Sequence, residues 1–145
     1  MPKIEKSIYI NAPVEKVFGF FIEPMNLLEV WPSLMEFKDV KKSPDGVVIG
    51  WEWVYKMTGM HFKGISEITE FIPNRRWGMK TKGGGLESTH LHTFQSEAGG
   101  TKMTLDIDFT VPIPLLGKLA EGFIVKLNEQ EAESFYANLK ARMEG

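Results

Sequence analysis

Alternating aromatic residues and a spaced pair of histidines are the residues of this chain best suited to chemistry. Trp51, Trp53 and Tyr55 occupy every second position, and Met57 continues the row. His90, His92 and Phe94 repeat the spacing. In an extended strand alternate side chains share a face, with Cα atoms two residues apart separated by roughly 7 Å. The first row would make an apolar wall in which a phenol hydroxyl and indole N–H groups anchor one polar end of a ligand. The second would set two imidazoles side by side, as hydrogen-bond donors to a ligand or as an acid/base pair. Packing is the competing reading of both rows: aromatic stripes fill cores, and the histidines would be hydrogen-bonded wall residues or face solvent. No metal site is expected, because two histidines without a carboxylate at ligand spacing are a weak metal signal, and His61 falls on a separate strand.

The acids offer less. Asp106 and Asp108 alternate against Met103, Leu105, Ile107 and Phe109, which assigns them to the wet face of a strand. Glu67 and Glu70 fall on opposite faces of theirs, so one of them is a candidate inward carboxylate. Lys82-Gly83-Gly84-Gly85 lacks phosphate-loop spacing and reads as a hairpin loop. With no nucleophile–base–orienter pattern and no cofactor motif, no catalytic residue is assigned and no cofactor is expected.

The elements that must position these residues follow from periodicity. Lys3 to Ile10 alternates as a strand. Asn11 stands as a helix cap ahead of Pro13, and Val14, Val17, Phe18 and Phe21 recur at helical spacing. A second short helix spans Asn26 to Val30. Strands follow over 35–42, 47–57, 62–71, 76–81, 87–96 and 102–111, divided by Ser43-Pro44-Asp45-Gly46, Thr58-Gly59, Pro73-Asn74, the glycine loop and Gly99-Gly100. In the 47–57 strand Ile49 joins Trp51, Trp53, Tyr55 and Met57 on one face. From Leu115 to Met143 the period changes, with Leu116, Leu119, Phe123, Leu127, Phe135, Leu139 and Met143 on one side of a long helix bent near Gly122. The preceding Pro112-Ile113-Pro114-Leu115-Leu116-Gly117 reads as packing at the helix start, a lid, or a membrane-touching patch.

Composition bounds the rest. The 145 residues (16.5 kDa) suit one domain over 1–145 with a sizeable core. Lys plus Arg total 17 against 19 Asp plus Glu, a net charge of −2 that argues against a nucleic-acid partner. The absence of cysteine excludes disulfides and thiolate sites. The charged N-terminus lacks a signal-peptide core, and no apolar run is long enough to span a bilayer. A cytoplasmic protein without integral membrane association is expected.

Several segments, in order, carry a resemblance: Ile8-Tyr9-Ile10-Asn11-Ala12-Pro13-Val14-Glu15-Lys16-Val17-Phe18; Pro24…Asn26…Trp31-Pro32; Pro73-Asn74-Arg75-Arg76; Gly100-Thr101; and Leu139-Lys140-Ala141-Arg142-Met143-Glu144. Together they resemble the polyketide cyclase–dehydrase and START-like (SRPBCC, Bet v 1-like) superfamily over nearly the whole chain. That resemblance implies an α+β helix-grip: a curved seven-stranded antiparallel sheet and two short helices, with a long C-terminal helix over a cavity. It implies binding, transport or sequestration of a small apolar ligand, lipids included. Its alternatives are a cyclase or dehydratase acting on a polyketide-like or aromatic substrate, with His90, His92 or Tyr55 as acid/base, and a chaperone-partner module whose protein partner is unknown. On that fold the glycine loop would sit at the cavity mouth. Trp51, Trp53, Tyr55, Met57, His90, His92, Phe94, Met103 and Leu105 would line the concave face, with Phe123 and Leu127 closing it from the helix.

Overall fold

A computed structural model describes residues 3–32, 34–57, 60–83, 86–110 and 113–145, with the side chains of 24, 55, 57, 60, 62, 86, 110 and 113–125 outside that description. Strand β1 (Lys3–Ile10) is followed by helices α1 (Val14–Phe21) and α2 (Pro24–Val30). Six strands come next: β2 (Leu34–Lys42), β3 (Val48–Met57), β4 (Met60–Ile72), β5 (Arg76–Gly83), β6 (Leu86–Glu97) and β7 (Gly100–Thr110). Helix α3 (Ile113–Glu144) closes the chain. All seven strands form one antiparallel sheet in the order β1-β7-β6-β5-β4-β3-β2. The long helix, the two short ones and the curved sheet are the helix-grip arrangement.

Hairpins explain the order. Each strand from β2 to β7 pairs with its chain neighbour, so local turns set the register. Asn74 and Gly46 hold the left-handed backbone that two of these turns require, at φ 62° and 84°. Only β1 pairs at long range, matching Ile4 to Ile107, Ile8 to Met103 and Ile10 to Thr101. The concave face is therefore the odd-numbered row of β7 and the even-numbered row of β6, and both are buried from Ser88 to Phe94 and from Thr101 to Phe109.

Helix α3 supplies the lid of this core. Ala132, Phe135, Tyr136, Leu139 and Met143 are buried and recur at threes and fours. From the other side α1 buries Val14, Val17, Phe18 and Phe21. The rings of Phe21 and Phe135 meet in the middle, 5.9 Å apart.

Local expectations change in five places. Leu127 is only half-buried, one turn short of the packed stretch. Ile49 is 45% exposed while Val48 is buried. The pairing of β2 with β3 shifts between Lys38 and Lys41, where Asp39 takes a left-handed φ of 48°, and again between Lys41 and Lys42, whose partners Gly50 and Val48 leave Ile49 skipped in the ladder. Asn11 does not cap α1: Pro13 is the N-cap, and the Asn11 backbone N–H goes instead to Glu144. Gly83 belongs to β5 rather than to a loop. Neither Glu67 nor Glu70 is buried, and Glu70 pairs with Arg76 at 3.1 Å. The Thr58-Gly59 turn, Gly84, Gly85 and Pro112 lie outside the described residues.

The packed half of α3 should dominate the helix's contribution to stability. Leu139→Ala, at a fully buried site, is expected to cost about 2–5 kcal/mol of unfolding free energy, and Leu127→Ala about 1 kcal/mol or less. Urea denaturation of the two variants checks the order, and equal losses would contradict this placement of α3.

Candidate functional site

His90 and His92 lie on the concave face of β6, opposite Ile107 and Leu105 of β7, with Met79 and Trp77 of β5 on their other side. The His92 ring is 0% exposed and sits in a box of aromatic rings. Phe21 lies 4.5 Å away, Trp77 5.7 Å, Phe135 6.2 Å and Tyr136 6.5 Å, centroid to centroid. Three helices and three strands converge here, because Trp31 at the end of α2 also stacks on Phe135 at 4.6 Å and faces His90 at 6.4 Å.

The polar atoms in this box are poorly served. His90 Nε2 and Ser88 Oγ share a hydrogen bond of 3.1 Å. His90 Nδ1, both ring nitrogens of His92 and the Tyr136 hydroxyl are buried without a hydrogen-bond partner among the described residues. An unmet buried polar group costs about 1–3 kcal/mol, and native interiors rarely tolerate several together. Burial also decides their protonation. Desolvation lowers His90 to about 4, and desolvation with the neighbouring His90 holds His92 well below the usual imidazole range. Burial pushes the Tyr136 hydroxyl up. At neutral pH the cluster is two neutral imidazoles and a neutral phenol. Each group then has a donor and an acceptor to offer.

The aromatic row of β3 is built differently from what its sequence suggests. Trp51 is buried and stacks on Trp77 at 5.9 Å. Trp53 is buried too, but its indole N–H donates to Thr81 Oγ1 at 2.8 Å, so that anchor is already used. Its ring lies flat over a window left by Gly64 and Gly83, where any Cβ would overlap it. Thr81 also accepts from Ser66 at 2.9 Å and donates to the Ile65 carbonyl at 3.2 Å. The structure thus gathers Trp51, Trp53, His90, His92, Phe94, Met103 and Leu105 on one buried face. Leu127 stands half-buried on α3, and the side chains of Tyr55, Met57 and Phe123 lie outside the description.

Trp31, Trp77 and above all Tyr136 complete the site without having been singled out by spacing, together with Phe21, which spacing marked only as part of a helix face. The signal for Tyr136 was available: it sits four residues from Ala132 and three from Leu139, which puts a hydroxyl on an otherwise apolar helix face. No group of three or more metal-ligating side chains occurs among the described residues. An open groove of about 820 Å³ along β2, β3, β4 and β5 is lined by Ile49, Trp51, Ile65, Ser66, Glu67 and Lys80 among others, and His90, His92 and Tyr136 do not line it.

Residues 1–144 match the family described as polyketide cyclase / dehydrase and lipid transport. The chain belongs to that family. It is 27% identical to an uncharacterized 17.2 kDa protein of the melC2-rnhH intergenic region of Streptomyces lincolnensis, over 98% of this chain and 92% of that one. Its fold superposes on a START superfamily protein from Mycobacterium smegmatis with a TM-score of 0.83 at 15% identity, covering 98% and 97% of the two chains. It also superposes on the di-domain ARO/CYC StfQ from the steffimycin biosynthetic pathway, with a TM-score of 0.81 at 15% identity, covering 98% of this chain and 50% of that one. The two solved structures share the helix-grip fold of this chain, and its family is associated with small hydrophobic ligands. No helix among the described residues is long and apolar enough to cross a membrane.

The buried imidazoles make stability pH-dependent with a definite sign. The folded pKa of His90 lies below the ordinary 6.5, so the unfolded chain takes up a proton that the native state refuses. Stability is full above about pH 6.5 and falls as pH drops toward about 4, by about 3 kcal/mol from His90 alone. Urea midpoints across this range should decline more steeply in the parent than in His90→Asn. Equal slopes would show that His90 is not held neutral by burial.

Proposed function

We propose that the protein binds a small hydrophobic molecule on the concave face beneath α3. One observation carries this reading: polar atoms of His90, His92 and Tyr136 are buried in an aromatic enclosure with nothing among the described residues to pair with. An apolar body would meet the rings of Trp31, Trp51, Trp77 and Phe135, while a polar end would satisfy the open atoms. Family membership supports the same class of ligand.

Acid–base catalysis fits these residues less well. A general base works best with a pKa near the working pH, and His90, lowered to about 4, is a weak proton acceptor at neutrality. The phenol of Tyr136, pushed up by burial, is likewise a poor proton donor in that range. Groups of this kind bind and orient.

Titration with the neutral dye Nile red, followed by tryptophan quenching, tests the reading. Saturable binding near one molecule per chain is expected. Trp51→Ala should weaken it by more than about tenfold, or about 1.4 kcal/mol, with the sheet signal in circular dichroism retained. The absence of any saturable change would transfer support to a protein-interaction role.

A further inference from the structure

We propose that the His90–His92 pair is an acid-sensitive latch on α3: when these rings take up protons, the turns of the helix that cover them lift from the sheet, while its last turns and the seven strands stay in place. The device is independent of what the concave face binds.

Position is its first support. Both histidines are buried, and all three helices come down on them. Phe21 of α1 lies 4.5 Å from the His92 ring, and Phe135 and Tyr136 of α3 lie 6.2 and 6.5 Å from it. Trp31, at the end of α2, faces His90. A charge placed here acts where the helices meet the sheet.

The second support is that nothing described receives such a charge. Among the described residues Tyr136 is the titratable side chain that faces the pair, and burial keeps it neutral. The neighbours along the sheet are Trp77 and Met79 of β5 and Leu105 and Ile107 of β7. Arg76, Lys80 and Lys82 of β5, Glu87 of β6, and Lys102, Asp106 and Asp108 of β7 alternate onto the opposite face. Glu15 and Lys16 of α1, Glu29 of α2, and Lys126, Glu129 and Glu133 of α3 are exposed, and Glu131 is half-buried. Lys6 of β1 is held by Glu129 and Glu133 at 3.6 and 2.7 Å. Burial, with mutual repulsion at His92, sets the state of the two rings, and no carboxylate acts on either. Two imidazolium ions would therefore lie buried against each other with no counter-charge. Lifting the helix admits water and relieves both penalties.

The third support is how the ties of α3 divide. Ahead of the cluster they run from Lys6 to Glu129 and Glu133, and depend on ionised carboxylates. Behind it, Asn138 donates to the Val30 carbonyl at 2.9 Å, Lys140 to the Tyr9 carbonyl at 2.7 Å, and Lys16 to the Met143 carbonyl at 3.1 Å. Carbonyl acceptors do not titrate. The Asn11 N–H and Lys140 hold the Glu144 carboxyl below its usual range, so that tie persists to lower pH than an ordinary carboxylate's would. Leu139 and Met143 are buried beside these bonds. Acid thus loosens the helix over the histidines and leaves its end clamped, with the hinge near Asn138.

The sign and size follow from linkage. The closed form holds His90 at about 4 and His92 well below the ordinary 6.5, which both regain once water reaches them. Opening then takes up protons. It is favoured as pH falls below about 6.5, by up to about tenfold per pH unit for each ring. The His90 share levels off below about pH 4, where the closed form accepts the proton as well.

Hydrogen exchange read by mass spectrometry on the full chain, corrected for the intrinsic rate at each pH, tests the latch. Between about pH 6.5 and pH 5 the amides of 126–136 should lose protection by more than about tenfold per pH unit, while 88–94, 103–109 and 139–143 change by less than about threefold. His90→Asn and His92→Gln, each neutral at every pH in this range, should each lower that slope to about tenfold per pH unit or less. Lys6→Met removes the carboxylate ties but spares the core. It should raise opening at every pH and leave the slope unchanged. Joint loss of protection in 126–136 and 88–94 would show whole-chain unfolding and overturn the proposal. Protection of 126–136 that does not depend on pH, or a slope carried unchanged into both histidine variants, would overturn it too.

Discussion

Holding two imidazoles and a phenol out of water is the demand that organises this molecule. Each is a polar group whose burial is costly unless something pairs with it. The fold accepts that cost at the point where all of its layers meet. His92 alone is touched by rings from α1, β5 and α3, and Trp31 brings the end of α2 onto the same cluster. Aromatic pairs in edge and offset geometry contribute about 0.5–1.5 kcal/mol each beyond the area they bury. A ring of such contacts around Phe21 and Phe135 is of the right size to offset a few unmet hydrogen bonds. The site is thus the centre of the core and, among the described residues, the place where several unpartnered polar atoms gather.

That arrangement depends on α3 staying down, and the means are unequal. Its C-terminal turns carry many polar ties: Lys140 to the Tyr9 carbonyl, Glu144 to the Asn11 N–H, Lys16 to the Met143 carbonyl, and Asn138 to the Val30 carbonyl. Lys6 reaches Glu129 and Glu133 from β1. Most of these are at the surface, where an ion pair is worth about 0–1 kcal/mol. Full burial of Phe135, Leu139 and Met143 is worth roughly 1.5–3 kcal/mol per side chain. The apolar stripe therefore supplies the stability, and the polar ties set where along β1 and α2 the helix comes to rest. Lys16 donating to the Met143 carbonyl also suits the negative end of the helix.

Much of this was legible in the residues, for a physical reason. Strand alternation in β6 and β7, the apolar spacing of α1 and the change of period at α3 are local signals, and each strand from β2 to β7 pairs with its neighbour in sequence. Hairpin topology converts local signals into a sheet with few choices. What was hidden depended on contacts between distant elements. The irregularity that skips Ile49 in the ladder is a property of the β2–β3 pairing, not of either strand alone. Gly64 and Gly83 look like loop or strand-weakening residues until Trp53 is laid across them. Tyr136 and Trp31 take on meaning only when α2 and α3 arrive over His90 and His92. Leu127 shows the reverse error: helical spacing marks a face, but not how far along the helix that face meets a partner.

The same burial that builds the site narrows its chemistry. A histidine pair near a wet cleft would titrate around neutrality and could exchange protons with a substrate. Here desolvation acts on both rings, and each would add repulsion to the other if charged, so the neutral forms win together. Neutral groups in a low-dielectric enclosure still make strong hydrogen bonds, because water is not there to compete. On the proposed binding reading, such an enclosure favours a molecule that completes its hydrogen bonds over one that leaves them open. A family fold that offers a covered concave face supplies the apolar part of recognition in general terms. On the proposed binding reading the selective part falls to a few atoms on His90, His92 and Tyr136, whose unmet capacity among the described residues separates this interior from an ordinary packed core.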